Sequence, residues 1–269
     1  MRLLKKILDW YINASLHVAL ATTALVQMTF YFCHIPFDVI VTLFVFCGTS
    51  ASYNIIKYLP FVLKNKEYKT SLKLIIALTS LFLGICCVLF FQLKTATQIV
   101  TLLFCVLSIM YVVPFSKALP NLRNFAGIKI YIVSVCWAGV TILLPMLNAD
   151  MEIGIDVVYK FLQRFILTLI LILIFEIYDL KYDSSYLKTV PQILGVSKTK
   201  NLIYGLLIPF YILEFFKEGY YPNQWFINLL LCICIALFTF FVSHKQSKYY
   251  TVFWVESIPI LWLLLVLIF

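Results

Sequence analysis

An all-α, polytopic membrane protein of about nine transmembrane helices around a central cavity is the fold class that the sequence predicts, on three observations. The 269 residues are 63% hydrophobic and only 12% charged, with a mean hydropathy of +1.00, whereas a soluble domain is nearer half apolar and about a quarter charged. Apolar stretches of the roughly 20 residues needed to cross a hydrocarbon core recur along the chain. Basic residues sit in short runs between those stretches and concentrate at alternate loops, as the positive-inside rule requires. The net charge of +9 is therefore assigned to topology, and no nucleic-acid partner is expected. Eight Gly and nine Pro leave little room for the turns of an all-β protein. No linker or low-complexity segment divides the chain, which predicts one helical domain over residues 1–269.

The first expected helix covers 10–33. The Met-Arg-Leu-Leu-Lys-Lys before it resembles a signal-peptide start, but the apolar run is too long and lacks a clear cleavage site, so an uncleaved helix is expected. The second and third, 37–62 and 70–92, are separated by Lys64, Lys66 and Lys69. The fourth and fifth, 95–114 and 126–147, flank a loop carrying Lys117, Arg123 and Lys129. The sixth, 155–179, runs into Lys181 and Lys188. The seventh, eighth and ninth are 198–216, 224–243 and 250–269. With these spans, 17 of the 21 basic residues fall on one side, leaving Lys94, Lys160, Arg164 and Lys217 on the other with most of the loop acids. That split predicts a cytoplasmic N-terminus and an external C-terminus in a bacterial inner membrane. All eight cysteines lie in apolar stretches without zinc-ligand spacing and read as helix-packing residues.

Polar residues at membrane depth are costly and usually face a cavity or a partner. Glu176, Asp179 and Asp183 end the sixth helix at spacings that project within roughly 60° of one another. Three carboxylates on one stripe suit a Mg²⁺ ion, which takes one or two carboxylates and completes its shell with water and phosphate; the plainer alternative is a solvated helix end. On the second helix, Asn54 and Lys57 share a face, so Lys57 either faces the carboxylates from across the cavity or snorkels to the headgroups. Lys117, Arg123 and Lys129 either satisfy topology alone or donate to a phosphate. Glu256, six residues past Tyr250 in the last helix, reads as a helix–helix hydrogen bond or as a further cavity group.

The stretch Glu176-Ile-Tyr-Asp179-Leu-Lys-Tyr-Asp183, continuing to Leu187-Lys188-Thr189-Val190-Pro191 and Leu194-Gly195, resembles the second Asp-rich motif of the UbiA-type intramembrane prenyltransferase superfamily. Tyr111-Val-Val-Pro114-Phe-Ser116-Lys117, with Lys129 and the stretch from Trp137 to Pro145, is similar to that family's helix four–five region. The resemblance covers nearly the whole chain and implies a UbiA-like fold. It further implies a membrane transferase that moves a prenyl group from a polyprenyl diphosphate to an acceptor with Mg²⁺. On that reading Asp179 and Asp183 are catalytic, Glu176, Asp179 and Asp183 hold one metal, and Asn54, Lys57, Lys117, Arg123, Lys129 and Lys188 bind substrate. The family's first Asp-rich motif is absent, since Asn54 has a counterpart there but no acid lies between Asp38 and Glu67. That gap carries the alternative, a non-catalytic lipid-binding or scaffolding subunit with a protein partner. A transporter built on inverted repeats is a third class, and no convincing repeat supports it.

Overall fold

Leu3, Leu4 and Ile7 of the first helix, α1 (Arg2–Asn13), are 71%, 73% and 55% exposed beside Lys5 and Lys6. An apolar side next to charged residues is the pattern of a helix lying in the membrane interface. The chain then turns by 61° into α2 (Leu16–Phe32), with Ser15 in the left-handed region at φ 57°. The expected first span is thus broken at Ala14–Ser15.

What holds the bend is α3 (Val39–Lys64). A helix end leaves carbonyls without partners, and α3 supplies them. Ser50 Oγ and Asn54 Nδ2 donate to the Ala14 carbonyl at 3.0 and 3.1 Å, and Tyr58 Oη donates to the Asn13 carbonyl at 2.9 Å. Asn54 also donates to Thr79 Oγ1 at 3.0 Å on α4 (Thr70–Phe90). Asn54→Ala is expected to lower stability by about 1–3 kcal/mol, because it removes the buried hydrogen bonds to Ala14 and Thr79 and leaves the bend to Ser50 and Tyr58. The unfolding midpoint in detergent checks this, and an unchanged midpoint would remove Asn54 from the bend.

The computed structural model describes residues 2–64, 69–112, 127–183, 187–218 and 223–269. Beyond α4 come α5 (Thr95–Val112), α6 (Ile128–Asn148), α7 (Ile155–Asp179), the short α8 (Val190–Leu194), α9 (Val196–Ile212), α10 (Gln224–Phe241) and α11 (Tyr250–Ile268). No strand occurs among the described residues. Among the described residues seven helices are long and apolar enough to cross a membrane, or eight if α1 and α2 count as one bent span. The expected helix at 198–216 is α9, which tightens into a 3-10 turn at Leu213–Phe216 and falls just short in length.

Of the seven helices long enough to cross a membrane by themselves, α7 is the most buried; it packs against α6, α9 and α11 and carries Leu167, Ile170, Leu173, Ile174 and Ile177 into the core. By contrast, α4 and α5 show side chains such as Leu81, Val88 and Leu103 at 58–64% exposure, which is lipid-facing surface in a bilayer. Gly139 opens a π-turn in α6, where a Cβ would lie 1.9 Å from the ring tip of Phe104 on α5, so the α5–α6 seam depends on its missing side chain.

The ends of the sequence meet. His17 on α2 is 4% exposed, and its Nε2 lies 2.9 Å from the Phe253 carbonyl on α11. A carbonyl only accepts, so that nitrogen carries the proton and Nδ1 accepts from Tyr11 Oη at 2.9 Å. The same Nε2 is 3.0 Å from Ser257 Oγ, but the hydroxyl donates to the Phe253 carbonyl at 2.6 Å. His17 is therefore no base for Ser257. Asp9 on α1 pairs with Lys248 and accepts from Tyr249 Oη at 2.8 Å, just before α11. Within α11, Pro259 has no N–H to give Val255, and a π-turn over Tyr250–Val255 precedes it.

Candidate functional site

At the C-terminal end of α7 the chain stays coiled past its last helical residue. Tyr182 and Asp183 both donate their backbone N–H to the Asp179 carbonyl, at 2.7 and 2.9 Å. This keeps Asp183 one turn from Asp179, as the spacing predicted. The Lys-Thr-Val-Pro stretch then starts α8 with a capping box in which Thr189 N–H donates to Gln192 Oε1 at 3.1 Å.

Glu176 is the residue that α8 docks on. It is 3% exposed, and its Oε2 accepts the Val190 N–H at 3.1 Å, one of the free donors at a helix start. Its other oxygen lies 2.9 Å from Lys129 Nζ on α6. Lys129 also stands 4.0 Å from Asp183 Oδ2. One ammonium thus joins α6 to both ends of the acid stripe. Asp179 lies between them, half-buried, with no side-chain hydrogen bond among the described residues. Its electrostatic neighbours are Asp183, Lys129, Glu176 and Lys181. Lys181 itself turns outward over the rings of Tyr178 and Tyr182, at 4.2 and 4.8 Å.

Within the fold, three carboxylates therefore face one ammonium, and the excess negative charge asks for a cation. Glu176 is spoken for by Lys129 and Val190, which leaves Asp179, and Asp183 with its longer 4.0 Å pairing to Lys129, as the available oxygen donors. No group of three His, Cys, Asp or Glu side chains converges as a metal cage among the described residues. Two carboxylates with open positions nevertheless match the donor set that Mg²⁺ takes when water and phosphate complete its shell.

The helix-two residues are placed elsewhere. Asn54 is 2% exposed and occupied by Ala14 and Thr79. Lys57 Nζ lies 3.4 Å from Asn13 Oδ1 and 5.1 Å from the Tyr58 ring centre, so it belongs to the α1–α2 bend. The expectation that Lys57 faces the acid stripe is corrected: Lys129 holds that position, because α6 packs directly on α7 while Lys57 is drawn to the end of α1. The acid within electrostatic reach of Lys57 is Glu256, which directly follows the π-turn of α11. Glu256 also lies within electrostatic reach of Tyr11 and Tyr53 and is half-buried. Tyr53 Oη accepts from Trp137 Nε1 at 2.8 Å, which ties α3 to α6. Lys188 is exposed, with a left-handed φ of 46°. Lys117 and Arg123 lie outside the described residues.

Sequence reasoning missed one group altogether. Arg164 is a loop cation by the charge count, yet it sits nine residues inside α7 and is 4% exposed. Its Nη1 donates to the Leu25 carbonyl at 2.8 Å and to Thr141 Oγ1 at 3.2 Å. The signal that could have found it is an arginine within an otherwise apolar span.

No protein-family model matches the chain, and no curated protein matches it in sequence. Among solved structures it is similar to that of a UbiA homolog from Archaeoglobus fulgidus bound to GPP and Mg²⁺. The TM-score is 0.67 at 12% identity, over 96% of this chain and 98% of that one. The chain has the UbiA-type fold, and it is an integral membrane protein by its long apolar helices and that fold.

Proposed function

We propose that this protein is a UbiA-like membrane transferase that binds a polyprenyl diphosphate through Asp179, Asp183 and Lys129 and moves its prenyl group to an acceptor. The observation that carries the reading is the pair of uncaged carboxylates beside a half-buried lysine at the end of α7. It occurs in a chain whose fold matches, end to end, that of a protein bound to GPP and Mg²⁺. Asp179 and Asp183 would hold one Mg²⁺, which when bound stabilises negative charge on a departing diphosphate. Lys129 donates to phosphate oxygens while holding Glu176, and with it α8, in place. Lys117, Arg123 and Lys188 are the remaining candidate phosphate donors. The apolar interior takes the prenyl chain and keeps water from the reacting carbon. The site faces the cytoplasm in this reading, since it lies on the lysine-rich side of the bilayer.

One observation favours a second reading, a lipid-binding subunit without turnover. Helix α3 brings no acid to the site, and its polar residues are spent on the α1–α2 bend. Titration of purified protein with a polyprenyl diphosphate, in Mg²⁺ and in EDTA, separates the two when inorganic diphosphate release is followed in parallel. The transferase reading expects binding at least about tenfold tighter with Mg²⁺, with slow diphosphate release in membrane lipid extract. Tight binding without release moves the assignment to the lipid-binding subunit, and no binding overturns both.

A further inference from the structure

Three cations gather in the other half of the bundle, away from the acid stripe. Lys160 and Arg164 stand on α7, four residues apart, and Lys217 follows the 3-10 turn after α9. With Gln163, Thr29 and Trp262 they line a cavity of about 10 Å³, room for about one water-sized occupant. Lys217 feels the repulsion of both Lys160 and Arg164.

Two acids answer these three charges. Lys160 pairs with Asp156, and Lys217 Nζ lies 2.6 Å from Glu214 Oε2 and 2.5 Å from Gln163 Oε1. Glu214 Oε2 also accepts from Gln163 Nε2 at 3.1 Å and from Asn228 Nδ2 at 2.7 Å. Arg164 has no carboxylate partner among the described residues. Among the described residues its buried Nε makes no hydrogen bond, and its guanidinium otherwise meets the Leu25 carbonyl, Thr141 and the Trp262 ring 5.6 Å away. A lone water could accept from Nε but would leave the charge uncompensated, at a cost of several kcal/mol in a low-dielectric interior.

We infer that this cavity binds one small monovalent anion, chloride in its ordinary setting. One excess positive charge sets the valence, and the volume excludes a phosphate or a lipid headgroup. Bound there, the anion would link α7 to α2 through Arg164, to α9 through Lys217 and to α11 beside Trp262. It acts as a structural ligand, independent of whether the carboxylate site turns over.

The test is the unfolding midpoint of the full chain in detergent, in sodium chloride, bromide, gluconate or phosphate at one ionic strength. Chloride and bromide are expected to raise Tm by about 5 °C over gluconate. The gain should be lost in Arg164→Gln and reduced in Lys217→Gln, and bromide should give an anomalous diffraction peak beside Arg164. If Arg164→Gln does not fold, the wild-type anion series and the Lys217→Gln variant still decide. Equal midpoints in chloride and gluconate, an undiminished halide gain in the variants, or stabilisation by phosphate alone would each overturn the inference.

Discussion

Asp179→Asn is expected to abolish the Mg²⁺-dependent part of prenyl diphosphate binding, weakening affinity in Mg²⁺ by about 100-fold. The side chain is half-buried and makes no hydrogen bond among the described residues, so the amide replaces a carboxylate of nearly the same shape. What changes is charge. A unit charge about 4 Å from another is worth about 4 kcal/mol at an effective dielectric near 20, and a divalent ion feels more. In Mg²⁺ the variant should bind as wild type does in EDTA, with an unaltered unfolding midpoint. Wild-type affinity and metal dependence in Asp179→Asn would sink the carboxylate site.

Lys129→Met is expected to be the most damaging single change to stability, at about 3 kcal/mol. It strips the partner from Glu176, whose side chain is 4% exposed, and removing one member of a buried ion pair strands the other. Lys129 keeps 19% of its side-chain surface, so some of the loss is screened. Adding Glu176→Gln should restore much of the midpoint, because the stranded charge goes while Val190 N–H keeps an oxygen to bind. Diphosphate affinity should not recover, since the ammonium is still missing. Additive stability losses in the double variant would show that the two side chains do not act as a pair.

The sequence announces the end of α7 well, because the information there is local. Acids at helical spacing share a face, and Thr189 and Gln192 sit at capping-box spacing, so the order of groups follows from the order of residues. Glu176 shows where local reading stops. Its spacing marks it as a third ligand, but the lysine and backbone N–H that claim it come from α6 and α8. Asn54 and Lys57 answer to neighbours that no local spacing names: Ala14 and Thr79 for one, Asn13 for the other. The apolar run over 10–33 hides a break whose only mark is a left-handed serine, and the carbonyls exposed there attract α3. Arg164 was invisible for a related reason. A count of loop charges gives it a side of the membrane, whereas its partners come from residues 25, 141 and 262.

The clasp between Asp9 and Lys248–Tyr249 joins residues about 240 positions apart, and His17 reaches the last helix over a similar distance. During synthesis α3 follows closely behind α1 and can take up the carbonyls of Asn13 and Ala14 early. The clasp and the histidine contact must wait until the final span has left the translocation machinery. Helix α1 is thus made well before the residues that lock it. A nascent chain halted before residue 248 would hold its leading helix by one edge only, exposing Tyr11 and His17 to anything that surveys unfinished membrane proteins.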